Sequence, residues 1–144
     1  FIAGGDIQFL NLGSNLIYAS AIKICYAALT KGVMALQSSA LIADELLGVG
    51  EELQGELKDS QNFHWRLIEK RVSRLACDAG RWAGEMDQIS ETYQMLGLTP
   101  NLHKGVGDIF RLLEMSPLGN ETRETYDHNR SLQESLNIYK NSIK

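Results

Sequence analysis

The sequence is poor in the residues that build metal sites and disulfides. Its two cysteines, Cys25 and Cys77, lie in separate apolar stretches without a CxxC pair. The three histidines are too scattered for a metal motif such as HExxH. We therefore expect no bound metal, and two small buried thiols in a reducing, cytoplasmic compartment.

An excess of basic charge is also lacking. The chain has 18 acidic and 14 basic residues, a net charge of −4. This balance argues against nucleic acid or an anionic membrane as a main partner, since both need a basic surface. There is no GxGxxG turn, Walker loop or GxSxG elbow, so the chain by itself has no signature for binding a dinucleotide or for serine hydrolysis.

Proline is scarce and no strand-like alternation is sustained, which favours an all-α fold. Thr99 followed by Pro100 is a helix start signal, and Pro117 ends that helix. We expect residues 1–13 to be the end of a preceding strand and a linker, as in a piece cut from a longer protein. Residues 14–144 are expected to form one helical domain around a long first helix.

The spacing of apolar residues and helix stop signals predicts the remaining elements. The last helix is polar on most faces, so we expect it to dock at the edge of the domain. His103 is expected at the surface, and Phe63 and Val72 on a buried face. The predicted helices span 15–47, 50–59, 61–76, 82–96, 100–115 and a last stretch from 121 onward.

The first helix is apolar on nearly every side over residues 16–36. That length raises the possibility of a transmembrane span. Lys23 and Lys31, however, would each cost about 2.5–3.5 kcal/mol at mid-membrane. We therefore predict a helix in the core of a globular protein, covered by other protein on most of its faces.

The polar positions of this helix share one face. Ser20, Lys23, Ala27, Thr30 and Met34 follow one another at helical spacing. A lysine among apolar neighbours is desolvated, which suits it to proton transfer or to binding an anion. The alternative is that Lys23 extends to a surface edge with its stem packed on apolar neighbours. Periodicity alone does not separate the two.

A basic stripe follows later in the chain. Arg66, Lys70 and Arg74 are four residues apart, with Arg71 adjacent and Arg81 soon after. Such a stripe can bind a phosphate or a carboxylate. It is more often the solvated face of an amphipathic helix, and we expect that here.

Two stretches resemble a known family. They are ASAIKICYAALTKG at 19–32 and RWAGEMDQISETYQMLGLTP at 81–100. Both are similar to the helical C-terminal domain of the 6-phosphogluconate dehydrogenase-like, β-hydroxyacid dehydrogenase superfamily, in particular its NAD(P)-dependent phosphogluconate or hydroxyacid dehydrogenase branch. The resemblance spans about residues 4–113, and residues 1–5 resemble the last strand of a Rossmann domain.

The resemblance implies a function for this face of the first helix. Lys23 matches the family's catalytic lysine, a general acid/base on the substrate hydroxyl or carbonyl. Ser20, Thr30, Lys31 and Arg81 are the expected substrate-binding residues. NAD or NADP would be bound mainly by a Rossmann domain that this chain does not contain. The substrate would be a small hydroxy acid or a related carbonyl compound, and the domain would form a homodimer.

Three places depart from the family pattern. Ile17-Tyr18-Ala19 stands where the wider family has a glycine-rich turn before the lysine. Ala27 stands where the family has an asparagine that binds substrate, and Asp78 where it has a second lysine. Two alternatives therefore stay open beside the dehydrogenase domain. One is a helical dimerisation or scaffold module without activity, and the other is a cofactor-free pocket that uses Lys23 in isomerase- or cyclase-like chemistry.

Overall fold

The computed structural model describes residues 16–143, and these form an all-α domain, as predicted. The predicted strand and linker at 1–13 lie outside the described residues. Within them, six α-helices follow one another without a β-strand. They are α1 (Leu16–Leu47), α2 (Gly50–Ser60), α3 (Asn62–Arg71), α4 (Ala76–Met95), α5 (Asn101–Glu114) and α6 (Leu132–Ser142).

The centre of the fold is the antiparallel pair of α4 and α5. Met86 of α4 and Phe110 of α5 are completely buried, and the Trp82 ring meets the Phe110 ring edge-on at 5.6 Å between centroids. The Ser90 hydroxyl donates a hydrogen bond to the Pro100 carbonyl at the turn between the helices. The amphipathic pattern of both helices explains this pairing, since each buries its apolar stripe against the other.

The long first helix is confirmed, and it ends where the sequence predicts. Gly48 follows it with a φ of 75°, a left-handed conformation that favours glycine at a helix C-terminus. The C-terminal half of α1 packs into the core through Ala35, Leu41 and Ile42. This half therefore behaves as the predicted core helix.

The face of α1 opposite the core is not covered over residues 18–36, so the prediction of a helix covered on most of its faces is wrong there. Six apolar residues on the face opposite the core are exposed, and Leu29 and Leu36 are 68% and 70% accessible. We call this set the outer stripe. It consists of Tyr18, Ile22, Tyr26, Leu29, Val33 and Leu36.

Residues Tyr18–Leu47 are also long and apolar enough to cross a membrane by length and composition. The core helix of a soluble protein passes the same test. Length and composition therefore leave two possible surroundings for the outer stripe, which are lipid and other protein.

The predicted helix over 61–76 is interrupted. α3 ends at Arg71, a short 3-10 turn covers Val72–Arg74, and α4 begins at Ala76. The Tyr139 hydroxyl donates to the Val72 carbonyl at 3.3 Å, and the Ser135 hydroxyl to the Ser73 carbonyl at 3.2 Å. Side chains of α6 thus satisfy carbonyls that a continuous helix would bond to its own next turn.

α6 begins later, and is more central, than the sequence suggested. The predicted start near 121 is wrong, because residues 121–131 form turns and α6 starts at Leu132. Ser131 and Glu134 form a capping box at that start. Leu136 and Tyr139 are fully buried, so the helix enters the core and does not dock at its edge.

Several single-residue predictions are corrected by the packing. Phe63 is exposed, and Trp65 takes the buried position on α3. His103 is buried against the Tyr93 ring, with 4.2 Å between centroids. Cys25 is exposed and Cys77 half-buried, so neither is the buried thiol that we expected, although both are free.

Candidate functional site

A charged cluster between α1 and α4 is the strongest candidate site. The Lys31 ammonium group is paired with the Glu85 carboxylate and lies 5.5 Å from the centroid of the Trp82 ring. The Lys31 side chain is only 12% exposed. Burial, and then the positive charge of Arg81, lower the pKa of Lys31. This lysine therefore has the desolvated surroundings that we had predicted for Lys23.

The cluster continues along α4 to the segment before α6. Arg81 is 3.4 Å from a Glu85 oxygen and 2.9 Å from an Asp78 oxygen. Arg123 donates hydrogen bonds to the same Asp78 carboxylate, from Nε at 3.1 Å and from Nη2 at 2.8 Å. A chain of alternating charges thus joins α1, α4 and the segment 121–131.

The surroundings of Asp78 explain how a partly buried carboxylate is tolerated at this position. Burial by itself would raise the pKa of Asp78. Hydrogen bonds from Arg123 and Arg81 outweigh burial, so the pKa is lowered and the group is ionised at neutral pH. The carboxylate is therefore a fixed negative charge within this cluster.

Lys23 lies at the solvent edge of this cluster. It is exposed, so the predicted desolvation is wrong for the described part of the chain. Its charge is still near enough to contribute to the lowered pKa of Lys31. Lys23 and Lys31 are eight residues apart on α1, which places them on one side of the helix.

The other predicted site residues divide into two groups. Lys31 and Arg81 are brought together through their shared partner Glu85. Ser20 is exposed near the start of α1, and the Thr30 hydroxyl donates to the Tyr26 carbonyl at 2.8 Å within the same helix. The hydroxyl hydrogen of Thr30 is therefore used inside α1.

Sequence reasoning missed three members of the cluster. The pairing of Glu85 with Arg81 could have been predicted, because Glu85 follows Arg81 by four residues on the same helix face. Trp82 was assigned to the core stripe only. Arg123 gave no signal, since it lies 45 residues after Asp78 and outside any helix. Tertiary folding alone brings that pair together.

A second feature is an apolar groove beside the outer stripe. It lies between α1 and the first half of α5 and has a volume of about 580 Å³. His103 contributes to its wall, and neither ring nitrogen has a hydrogen-bond partner among the described residues. Burial lowers the pKa of His103, so its imidazole is neutral at physiological pH.

Neither a metal nor a dinucleotide has a ready site in the described residues. Within 16–143, no three acidic, histidine or cysteine side chains are grouped to hold a metal ion. The same residues contain no strand followed by a glycine-rich turn, which is what cradles the phosphates of a dinucleotide.

Comparison with known proteins supports the class of fold. A family model, Domain of unknown function (DUF1932), matches residues 45–113, which are 69 of the 144 residues. That domain is the C-terminal helical domain found in 6-phosphogluconate dehydrogenase-like and hydroxyacid dehydrogenase proteins. The matched segment includes Asp78, Arg81 and Glu85 and begins after Lys23 and Lys31. No curated protein and no solved structure matches the chain.

Proposed function

We propose that this chain is the substrate-binding and dimerisation domain of an NAD(P)-dependent hydroxyacid dehydrogenase-like oxidoreductase. The observation that carries the proposal is the cluster in which Lys31 and Arg81 share Glu85, with Lys23 on the same side of α1 and close enough to affect the pKa of Lys31. The similarity of residues 45–113 to a domain of such proteins supports it. The cofactor would be held by a Rossmann domain outside the described residues.

Lys23 is the proposed general acid/base. Its exposed position leaves the amine free to reach a substrate held between this domain and another. The neutral amine would take the proton from a substrate hydroxyl as the carbonyl forms, and the ammonium form would return it in the reverse direction. The half-buried Lys31 is already paired with Glu85, so its amine is less available than that of Lys23 to exchange a proton with a substrate.

The outer stripe is the proposed dimer surface, and its occupant is a second copy of the chain. Lipid fits less well, because the C-terminal half of α1 is packed inside this domain through Leu41 and Ile42. A membrane span would remove this half from the core. Six exposed apolar residues in one row supply the contiguous apolar surface on which protein interfaces are built.

The catalytic proposal is tested with the complete gene product. Hydroxy-acid-dependent reduction of NAD or NADP is measured for the parent, for Lys23→Met and for Lys70→Met. Lys70 is an exposed lysine of α3 outside the cluster and is therefore the matched control. We expect Lys23→Met to lower kcat by about 100-fold or more, the usual contribution of a general acid/base. Turnover that survives in Lys23→Met contradicts the role of this lysine.

The dimer proposal is tested by sedimentation. The parent should sediment as a dimer, and Leu29→Glu with Leu36→Glu should sediment as a monomer, because two carboxylates would be desolvated in the interface. Phe63→Glu introduces the same charge at an equally exposed apolar residue of α3 and should remain dimeric. A monomeric parent at micromolar concentration contradicts the proposal.

A module without activity is the second candidate, and the exposure of Lys23 favours it, because this lysine lacks the desolvated surroundings that suit proton transfer. It differs from the first in one outcome. A scaffold keeps the dimer and shows no cofactor turnover with any hydroxy acid, whereas the dehydrogenase domain shows both.

A further inference from the structure

A second cavity is lined in part by the Asp78–Arg123 pair. It has a volume of about 550 Å³ and opens between the 3-10 turn, the start of α4 and the segment 121–131. Volumes of 300–1,000 Å³ are typical of small-molecule sites. We call it the arginine cavity, because Arg71, Arg74 and Arg123 all contribute to its wall.

The residues that line this cavity carry more positive than negative charge. Asp78 is the single acidic residue among those that line the cavity, and it is already neutralised by Arg123 and Arg81. Arg71 and Arg74 have no carboxylate within 4.0 Å among residues 16–143. The three acids of segment 121–131 are engaged elsewhere: Glu121 pairs with Arg130, Glu124 accepts a hydrogen bond from Thr122, and Asp127 accepts one from the backbone N–H of Asn129.

Two guanidinium groups therefore face one cavity without a counter-charge in the described chain. Arg71 is half-buried, so water screens its charge less than it would on an open helix face. Guanidinium groups bind phosphate and carboxylate through paired N–H donors. The volume and the positive charge of the cavity are thus both suited to a small anionic ligand.

We propose that the arginine cavity binds a small organic anion with two negative charges, carried by one phosphate group or by two carboxylate groups. Arg71 and Arg74 hold the charged group. Tyr126 and His128, whose rings lie 4.0 Å apart between centroids and are tilted by 48°, form the aromatic part of the wall, against which the organic part would pack. Because α1 contributes only Met34 to the lining of the cavity, the proposal stands whether or not Lys23 is catalytic.

The cavity also contains a natural reporter. Cys77 lines it, while Cys25 is exposed on α1 and does not. A ligand in the cavity should therefore slow alkylation of Cys77 and leave that of Cys25 unchanged. The ratio of the two rates, measured by mass spectrometry, reports occupancy within a single molecule.

The test uses inorganic pyrophosphate and citrate as separate probes in isothermal titration calorimetry. Arg71→Gln with Arg74→Gln should weaken binding by about 10- to 100-fold, the range for losing hydrogen bonds to a charged group. Arg66→Gln is the matched control, because Arg66 is an exposed arginine of α3 outside the cavity. It should change the affinity less than twofold, which is within the effect of a surface charge.

Each outcome decides the proposal. Binding of pyrophosphate alone assigns phosphate compounds, and binding of citrate alone assigns carboxylates. An equal loss in Arg66→Gln and in the double variant means diffuse surface binding and overturns it. So does the absence of binding by either probe at millimolar concentration, or binding that fails to protect Cys77.

Discussion

Lys31 and Glu85 form the ion pair that joins the long first helix to the central helix pair. The Lys31 side chain is 12% exposed and that of Glu85 is 35% exposed, so the two ends of the pair differ in burial. Glu85 also contacts Arg81, whereas Lys31 has the Trp82 ring beneath it. The consequences of removing each partner should therefore differ.

We expect Glu85→Gln to destabilise the protein more than Lys31→Met. The first leaves a desolvated ammonium group without its counter-charge, at a cost of about 1–3 kcal/mol in the free energy of unfolding. The second leaves a carboxylate that still reaches solvent and Arg81, so the change should stay within about 1 kcal/mol. Urea denaturation measures both, with the exposed Glu91→Gln of α4 as control. A larger loss in Lys31→Met would contradict this assignment.

The same lysine predicts a dependence on pH. Its folded-state pKa lies below the unfolded value of about 10.4. Charged Lys31 therefore lowers stability at neutral pH, and that cost disappears as the pH rises towards the unfolded pKa. The parent should therefore become more stable relative to Lys31→Met as the pH rises from neutral to about pH 10. A difference that stays constant with pH would argue against desolvation of Lys31.

Tyr139 should shape the alkaline limit of stability. Burial raises the pKa of this phenol above its usual value of about 10. Tyr139 therefore makes its full contribution to the free energy of unfolding below about pH 10. This contribution is lost as the pH rises further, because the phenol ionises at a lower pH in the unfolded chain than in the folded one. Tyr139→Phe removes the hydrogen bond to the Val72 carbonyl and should cost about 0.5–1.5 kcal/mol at neutral pH. This cost should shrink above about pH 10 in denaturation curves.

The Asp78–Arg123 contact should hold the segment 121–131 against α4. In Asp78→Asn, Arg123 loses its bidentate charged partner, so the segment should open more often and trypsin should cut after Arg123 faster. Limited proteolysis with mass spectrometry gives the rate. Asp108→Asn is the control, because that surface acid pairs within α5 with Arg111. Equal cleavage in both variants would show that the contact does not restrain the segment.

Two glycines should respond oppositely to alanine. A Cβ on Gly119 would overlap the backbone carbonyl of Glu114, which cannot move aside as a side chain can. We expect Gly119→Ala to cost about 1–3 kcal/mol. Gly55 lies in α2 with open space around it, so Gly55→Ala should stabilise the helix by about 0.5–1 kcal/mol. Thermal denaturation of both variants decides, and a stabilised Gly119→Ala would contradict the packing at the end of α5.

The sequence predicted several residues of the candidate site, but only part of their arrangement in space. The spacing on α1 identified the lysine-bearing face, and Arg81 does join it through Glu85. The sequence assigned the desolvated position to Lys23, and the structure gives it to Lys31. Periodicity identifies one face of a helix. Which part of that face is covered, along the length of the helix, depends on how the neighbouring helices pack.

Local signals in the sequence determined where most helices begin and end. Gly48 and Gly97 both take the left-handed conformation, and Thr99-Pro100 precedes α5, because helix termination and capping depend on adjacent residues. Only the tertiary structure decided the break at Val72–Arg74, where Ser135 and Tyr139 of α6 bond the carbonyls of Ser73 and Val72. It also decided which face of α1 stays uncovered. Apolar periodicity records that a face can be buried, whereas contacts between distant helices determine what buries it.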